Sequence, residues 1–140
     1  MNVSQVHLWG GPLSISVYAP GDDFERAMRE IQRLRHCLPE ESSLRVRELA
    51  SFHVFFDARH SPATSDLYLW ENIIKRGYIP DCQDVASVRE ENNLGYKERL
   101  GIPYPVNVGR NIAREMATTH YIFANDAELL PRLERLFMTY

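Results

Sequence analysis

Asp126 and Glu128 stand two residues apart, directly after the apolar run Tyr121-Ile122-Phe123-Ala124. On an extended segment, side chains two apart point to the same side, so these carboxylates can offer oxygens to one hard divalent cation. A cation held there would bridge the phosphates of a nucleotide diphosphate. Upstream, Arg110 and Asn111 fall near the start of a helical pattern, where a fixed positive charge adjoins backbone N–H groups that favour anions. Asp57 closes another apolar run and is either a turn residue or an acceptor for a base or ribose. Asp-x-Glu by itself is weak evidence, because Asp23-Phe24-Glu25 has the same spacing and reads most simply as a helix start. The plain alternative for Asp126 and Glu128 is a solvated turn.

Other chemistries find little support. The five histidines make no ligand cluster. His53 lies inside an apolar strand and reads as a satisfied core or interface imidazole; His120 is close enough in sequence to Asp126 to support it, with capping or packing as the simpler role. Ser42, Ser43, Ser61 and Ser65 lack a nucleophile elbow, and neither G-x-x-x-x-G-K nor G-x-G-x-x-G occurs, which leaves hydrolase, P-loop and dinucleotide readings unsupported. Trp9, Tyr96 and Tyr104 are core or sugar-stacking aromatics.

The elements that must position these residues alternate in type. Leu13, Ile15 and Val17 interleave with Ser14, Ser16 and Tyr18, a period of two that predicts a strand ending at the turn Ala19-Pro20-Gly21. Asp22 and Glu25 have capping-box spacing, and Phe24, Ala27, Met28, Ile31, Leu34 and Leu38 follow at helical intervals. Phe52 to Phe56 reads as a strand buried on both faces, ending at Asp57, and 64–76 as a helix closed by Gly77. The stretch from Tyr78 to Pro105 reads as irregular with one short helix. Asn107 caps a helix running to Thr118, and Tyr121 to Ala124 reads as a third strand. Strand, helix, strand, helix, helix, strand predicts an α/β layer fold with a mostly parallel sheet. Ligands of such sheets collect at the carboxyl ends of the strands, here Ala19-Pro20, Asp57 and Asp126 to Glu128.

With 140 residues, 44% of them hydrophobic and 25% charged, the chain reads as one globular domain over 1–140 without linker or repeat. Sixteen basic residues against nineteen acidic give a net charge of -3 and no basic block, so nucleic acid is a poor partner. No apolar run is long enough to span a bilayer or to serve as a signal peptide, and the chain as given reads as soluble. Cys37 and Cys82 are either one disulfide or two buried thiols. Asn2-Val3-Ser4 is an N-glycosylation pattern and a faint hint of secretory context.

Two segments carry a resemblance. Tyr104-Pro105-Val106-Asn107-Val108-Gly109-Arg110-Asn111-Ile112-Ala113-Arg114, followed by Thr119-His120-Tyr121-Ile122-Phe123-Ala124-Asn125-Asp126-Ala127-Glu128-Leu129, resembles the beta-1,4-glucuronyltransferase and LARGE-type glucuronyltransferase family. The strand segments Gly11 to Gly21 and Phe52 to Asp57 are similar to that family's first two strands, and the likeness runs from about Trp9 to Met138. It implies a GT-A-like, Rossmann-type layered fold, here incomplete, that binds a nucleotide sugar. The implied enzyme sits in the Golgi lumen as a type II membrane protein, uses manganese and UDP-glucuronate, and builds on a glycan or glycoprotein acceptor.

By position in the motif, Asp126 and Glu128 match the metal-binding Asp-x-Asp element and Arg110 and Asn111 the donor-side helix; Ala19 and Asp57 join Arg110 and Asn111 as cofactor-binding candidates because they end the first two strands. Glu128 departs from the commoner second Asp, and its extra methylene changes its reach. The family places its general base downstream of this element, so no catalytic residue is named in the chain. The chain stops at Tyr140 and carries no anchor helix, which reads as a donor-binding core cut from a longer protein, or a shortened relative. An oxidising lumen implies that Cys37 and Cys82 are bridged. The competing expectation is a transferase-like binding or regulatory module without turnover.

Overall fold

The computed structural model describes residues 6, 9–83 and 94–124. Strand β1, Leu13–Tyr18, pairs in parallel with β2, Ala50–Phe55, from Leu13 opposite Ala50 to Tyr18 opposite Phe55. Parallel neighbours need a crossover, and two helices supply it: α1, Asp23–His36, and α2, Glu40–Leu49. A single 3₁₀ turn, Ala58–His60, leads from β2 to α3, Thr64–Arg76. The short α4, Tyr96–Arg99, and α5, Val106–Glu115, complete the described elements. The class is α/β, a partial GT-A-like layered arrangement whose sheet is two-stranded among the described residues.

The alternation of β1 decides what lies on each side of the sheet. Leu13 and Ile15 pack with Val6, Leu34, Val46 and Ala50 at the amino ends of the strands. Towards the carboxyl ends, Ala19, Phe24, Met28, Ile31 and Trp70 form a second cluster, with Val54, Phe56, Leu67 and Ile73 against it. The apolar residues of α1 thus serve both clusters, and each buried Phe, Met, Ile or Leu contributes on the order of 2 kcal/mol. The outer face of α1 carries the pairs Glu25–Arg29 and Glu30–Arg33, which add only tenths of a kcal/mol each, on the order of 0.3. The opposite sheet face holds Ser14, Ser16 and Tyr18, and α5 lies across it.

Several expectations need correction. Asp22 makes no side-chain cap; Gly21 and Pro20 carbonyls take the first N–H groups of α1, and Glu25 turns to Arg29 instead. Helix α2 was not legible, because only Ser43 and Val46 of its ten residues are buried. Ser43 replaces apolar contact with polar closure: its hydroxyl accepts from Leu38 N and donates to Leu38 O. Strand β2 starts at Ala50 and is half-buried over most of its length, not covered on both faces. Helix α5 is capped by Pro105, not Asn107, and ends at Glu115, short of Thr118. Tyr121 to Ala124 forms no strand; Tyr121 and Phe123 are 87% and 61% exposed, and among the described residues no neighbour completes a ladder there.

Two other expectations stand. Gly77 closes α3 at φ +63°, its N–H turned to the carbonyls of Ile73 and Ile74. Cys37 and Cys82 form a disulfide with Cα atoms 5.4 Å apart. Among the described residues no helix is long and apolar enough to cross a membrane.

Candidate functional site at the carboxyl edge

The two strands end side by side, and the chemistry gathers there. The Tyr18 hydroxyl donates to Asp57 Oδ2 at 2.6 Å. Asp57 accepts as well from Arg59 N at 3.0 Å and from His60 Nδ1–H at 2.9 Å. Its position explains the arrangement: two residues past β2 it caps the 3₁₀ turn, which brings His60 back beneath it. Three donors on one carboxylate favour its ionised form, the Tyr18 hydroxyl most of all, and hold Asp57 down to about 2. Burial, and then the hydrogen bond to Asp57, push the Tyr18 phenol up to about 12.

The signs of these shifts set a pH window. The lowered Asp57 contributes stability above its ordinary value of 3.8, lost as pH falls through about 2; the raised Tyr18 contributes below 10.0, lost as pH rises through about 12. In Asp57→Asn, the Tyr18 phenol is therefore expected to titrate below about 12 and still above 10.0, because burial remains. The ζ-carbon shift of Tyr18 followed by NMR across alkaline pH measures this; an unchanged midpoint would contradict the contact.

A third segment closes over the edge. Both oxygens of Asp23, at the start of α1, accept backbone N–H groups of α4: Tyr96 N at 2.7 Å and Lys97 N at 2.8 Å. Gly95 must precede them, since a Cβ there would sit 2.7 Å from Asp23 Oδ1. The Tyr96 ring then lies over Gly21 and edge-on to His60, with 6.0 Å between ring centroids. Lys97 Nζ stands 5.9 Å from the centroid of Tyr104, whose ring meets Tyr18 edge-on at 6.0 Å. Tyr18, Asp57, His60, Tyr96, Lys97 and Tyr104 thereby form a closed circuit of contacts around the strand ends.

Helix α5 runs antiparallel to β1. Ser14 Oγ donates to Ala113 O at 2.6 Å near the strand's start, while Gly109 lies against Ser16 and Tyr104 further along. The amino end of α5 is thus directed to the same carboxyl edge. A Cβ at Gly109 would come within 2.5 Å of the Tyr104 hydroxyl oxygen, which is how that glycine allows the close approach. The single hydroxyl proton of Ser14 goes to Ala113, so His53 Nε2–H is the donor in its 3.0 Å contact with Ser14, and burial lowers the His53 pKa.

The residues singled out from sequence are placed as follows. Ala19 is 1% exposed, its methyl in the core cluster and its N–H donated to Phe55 O at 2.9 Å, so only the edge it defines is available to a ligand. Asp57 stands at the centre of the circuit. Arg110 and Asn111 are exposed on α5, one turn in from its amino end. Asp126 and Glu128 lie outside the described residues, and among the described residues no group of three or more His, Cys, Asp or Glu is placed to hold a metal. Of the aromatics, Trp9 stacks on Phe123 at 6.3 Å, and His120 meets Tyr121 edge-on at 4.8 Å. Sequence reading missed Tyr18, His60 and Lys97 as site residues. The available signal was Asp57-Ala58-Arg59-His60, a carboxylate and an imidazole three apart at a strand end.

A family model described as glycosyl-transferase for dystroglycan matches residues 2–136. The chain belongs to this family. It is the LARGE-type family that the two carboxyl-terminal segments resemble, and the match takes in both strands and the whole circuit at their ends. No curated protein and no solved structure matches the chain. As a member of the glycosyltransferases for dystroglycan, the chain carries its polar circuit at the carboxyl ends of parallel strands, the edge where α/β folds take ligands.

Proposed function

We propose that this chain is the nucleotide-sugar donor part of a metal-dependent glycosyltransferase that moves glucuronate from UDP-glucuronate to a glycan or glycoprotein acceptor in the Golgi lumen. The observation that carries the reading is the coincidence of the family match over 2–136 with the Tyr18–Asp57–His60 cluster at the strand ends. Asp57, ionised and fixed, offers an acceptor to the hydroxyls or N–H of a ribose or base. Helix α5 directs its amino end to the same edge, with Arg110 and Asn111 on its outer face, which favours an anionic diphosphate. The Cys37–Cys82 bridge is in keeping with an oxidising lumen.

The metal part of the proposal rests on Asp126 and Glu128. Asp57 is no substitute for them, because a phenol, an imidazole and a backbone N–H already take most of its lone pairs, which leaves room for one more hydrogen bond and not for a metal. A divalent cation bound to such a pair supplies Lewis-acid neutralisation of the departing diphosphate. Manganese with millimolar UDP is expected to raise Tm by several degrees, about 3 kcal/mol at a hundred times Kd, and Asp126→Ala to abolish the metal-dependent part. No metal-dependent rise would sink the proposal. Transfer of glucuronate to a xyloside separates a working transferase from a binding module.

A further inference from the structure

Lys97 is the cation of the carboxyl-edge circuit. Of the basic residues nearby, Arg99 has its guanidinium 3.5 Å from Asp22. The Lys97 ammonium has the face of Tyr104 at 5.9 Å, and among the described residues no carboxylate lies within 4.0 Å of it. Asp23, the acid nearest along the chain of contacts, spends both oxygens on the backbone N–H groups of Tyr96 and Lys97. That clasp fixes the backbone of Lys97 and leaves its ammonium outside the clasp. Tyr104 is exposed but is placed by its edge-on contact with Tyr18 and the close approach of Gly109, so the ring under the ammonium is tied to the strand ends.

We propose that Lys97 is a donor-binding residue whose ammonium receives an anionic oxygen of the nucleotide sugar, either from its diphosphate or from a carboxylate on the transferred sugar. An ammonium placed over an aromatic face at the ligand edge gains from a directional anionic acceptor. Asp23 is the positioning residue for it. The inference rests on the nucleotide-sugar reading above.

The test is calorimetric titration of the intact chain and of Lys97→Gln with UDP, UDP-glucose and UDP-glucuronate, each with manganese. Binding is expected to weaken about tenfold on loss of one charge-assisted contact, with Lys97→Arg restoring most of it. Equal weakening for all three ligands assigns the diphosphate; weakening for UDP-glucuronate alone assigns the sugar carboxylate. Lys97→Gln binding all three as tightly as the parent chain overturns the inference and leaves the donor reading standing. A parent chain that binds none of the three overturns the donor reading, and this inference with it. The raised Tyr18 titration, retained in Lys97→Gln, shows that the variant keeps the folded edge.

Discussion

Replacing both Cys37 and Cys82 with serine is expected to lower stability by about 4 kcal/mol, the largest single effect in this chain. The bridge closes a loop with a sequence separation of 45 residues, containing α2, β2, the 3₁₀ turn and α3. In the chain-entropy account, releasing a loop of that length returns that much freedom to the unfolded chain. For a domain of this size the loss corresponds to a fall in Tm of about 10 °C or more, read by calorimetry. Cys82 is exposed, so native reduction should reproduce the effect without mutation. A fall under about 3 °C, with the bridge in the parent verified by mass, would show that the folded state does not depend on it.

The place of the bridge sharpens the expectation. Leu34 and Leu38 pack with Leu13 and Ala50 at the amino ends of the strands, and Cys37 lies between them in sequence. The bridge therefore sits at the opposite edge from Tyr18, Asp57 and His60. Well below Tm, the reduced chain should keep the high Tyr18 titration and any nucleotide affinity. Loss of either would mean that the two edges are coupled through the sheet.

What could be read from residues alone followed the strength of the local signal. β1 and α1 were legible to within a residue or two because a buried face repeats at a fixed period: Leu13, Ile15, Val17, then Phe24, Met28, Ile31, Leu34. α3 was legible from its closing Gly77 as much as from its apolar stripe. α2 was hidden because a buried serine and a single buried valine leave no stripe to detect. The apolar run Tyr121 to Ala124 misled for the converse reason: β-forming residues make a strand only where a neighbour accepts their hydrogen bonds.

The candidate site divides along the same line. Asp57 was legible as a polar residue ending an apolar run, which is a local pattern. Its partners were not, since Tyr18 reaches it across 39 residues and Asp23 reaches Tyr96 across 73. Contacts of that span are set by the crossover and by where the 94–104 segment returns, neither of which leaves a trace in spacing. The order of strands and helices supplied the edge at which to look, and the geometry supplied the residues on it.

Gly21→Ala is expected to be the most damaging single substitution at that edge, costing about 3 kcal/mol from two separable causes. The first is backbone: Gly21 has φ +51°, a conformation that costs an L-residue about 1–2 kcal/mol. The second is space: a Cβ at Gly21 would lie 2.7 Å from the Tyr96 ring, so the ring must move. The backbone of Tyr96 and Lys97 is held by Asp23, so the ring can give way only by turning about its own side-chain bonds, away from His60. Gly77 isolates the backbone cause, with φ +63° and no atom within 4 Å of the place a Cβ would take. Gly77→Ala should therefore cost about 1–2 kcal/mol by chemical denaturation, and Gly21→Ala clearly more. In a Tyr96→Ala background the excess at Gly21 should vanish, leaving only the backbone cost that Gly77→Ala reports. Equal costs at the two glycines in the parent chain would mean that the Tyr96 ring swings aside freely and that its packing over Gly21 does not hold the edge closed.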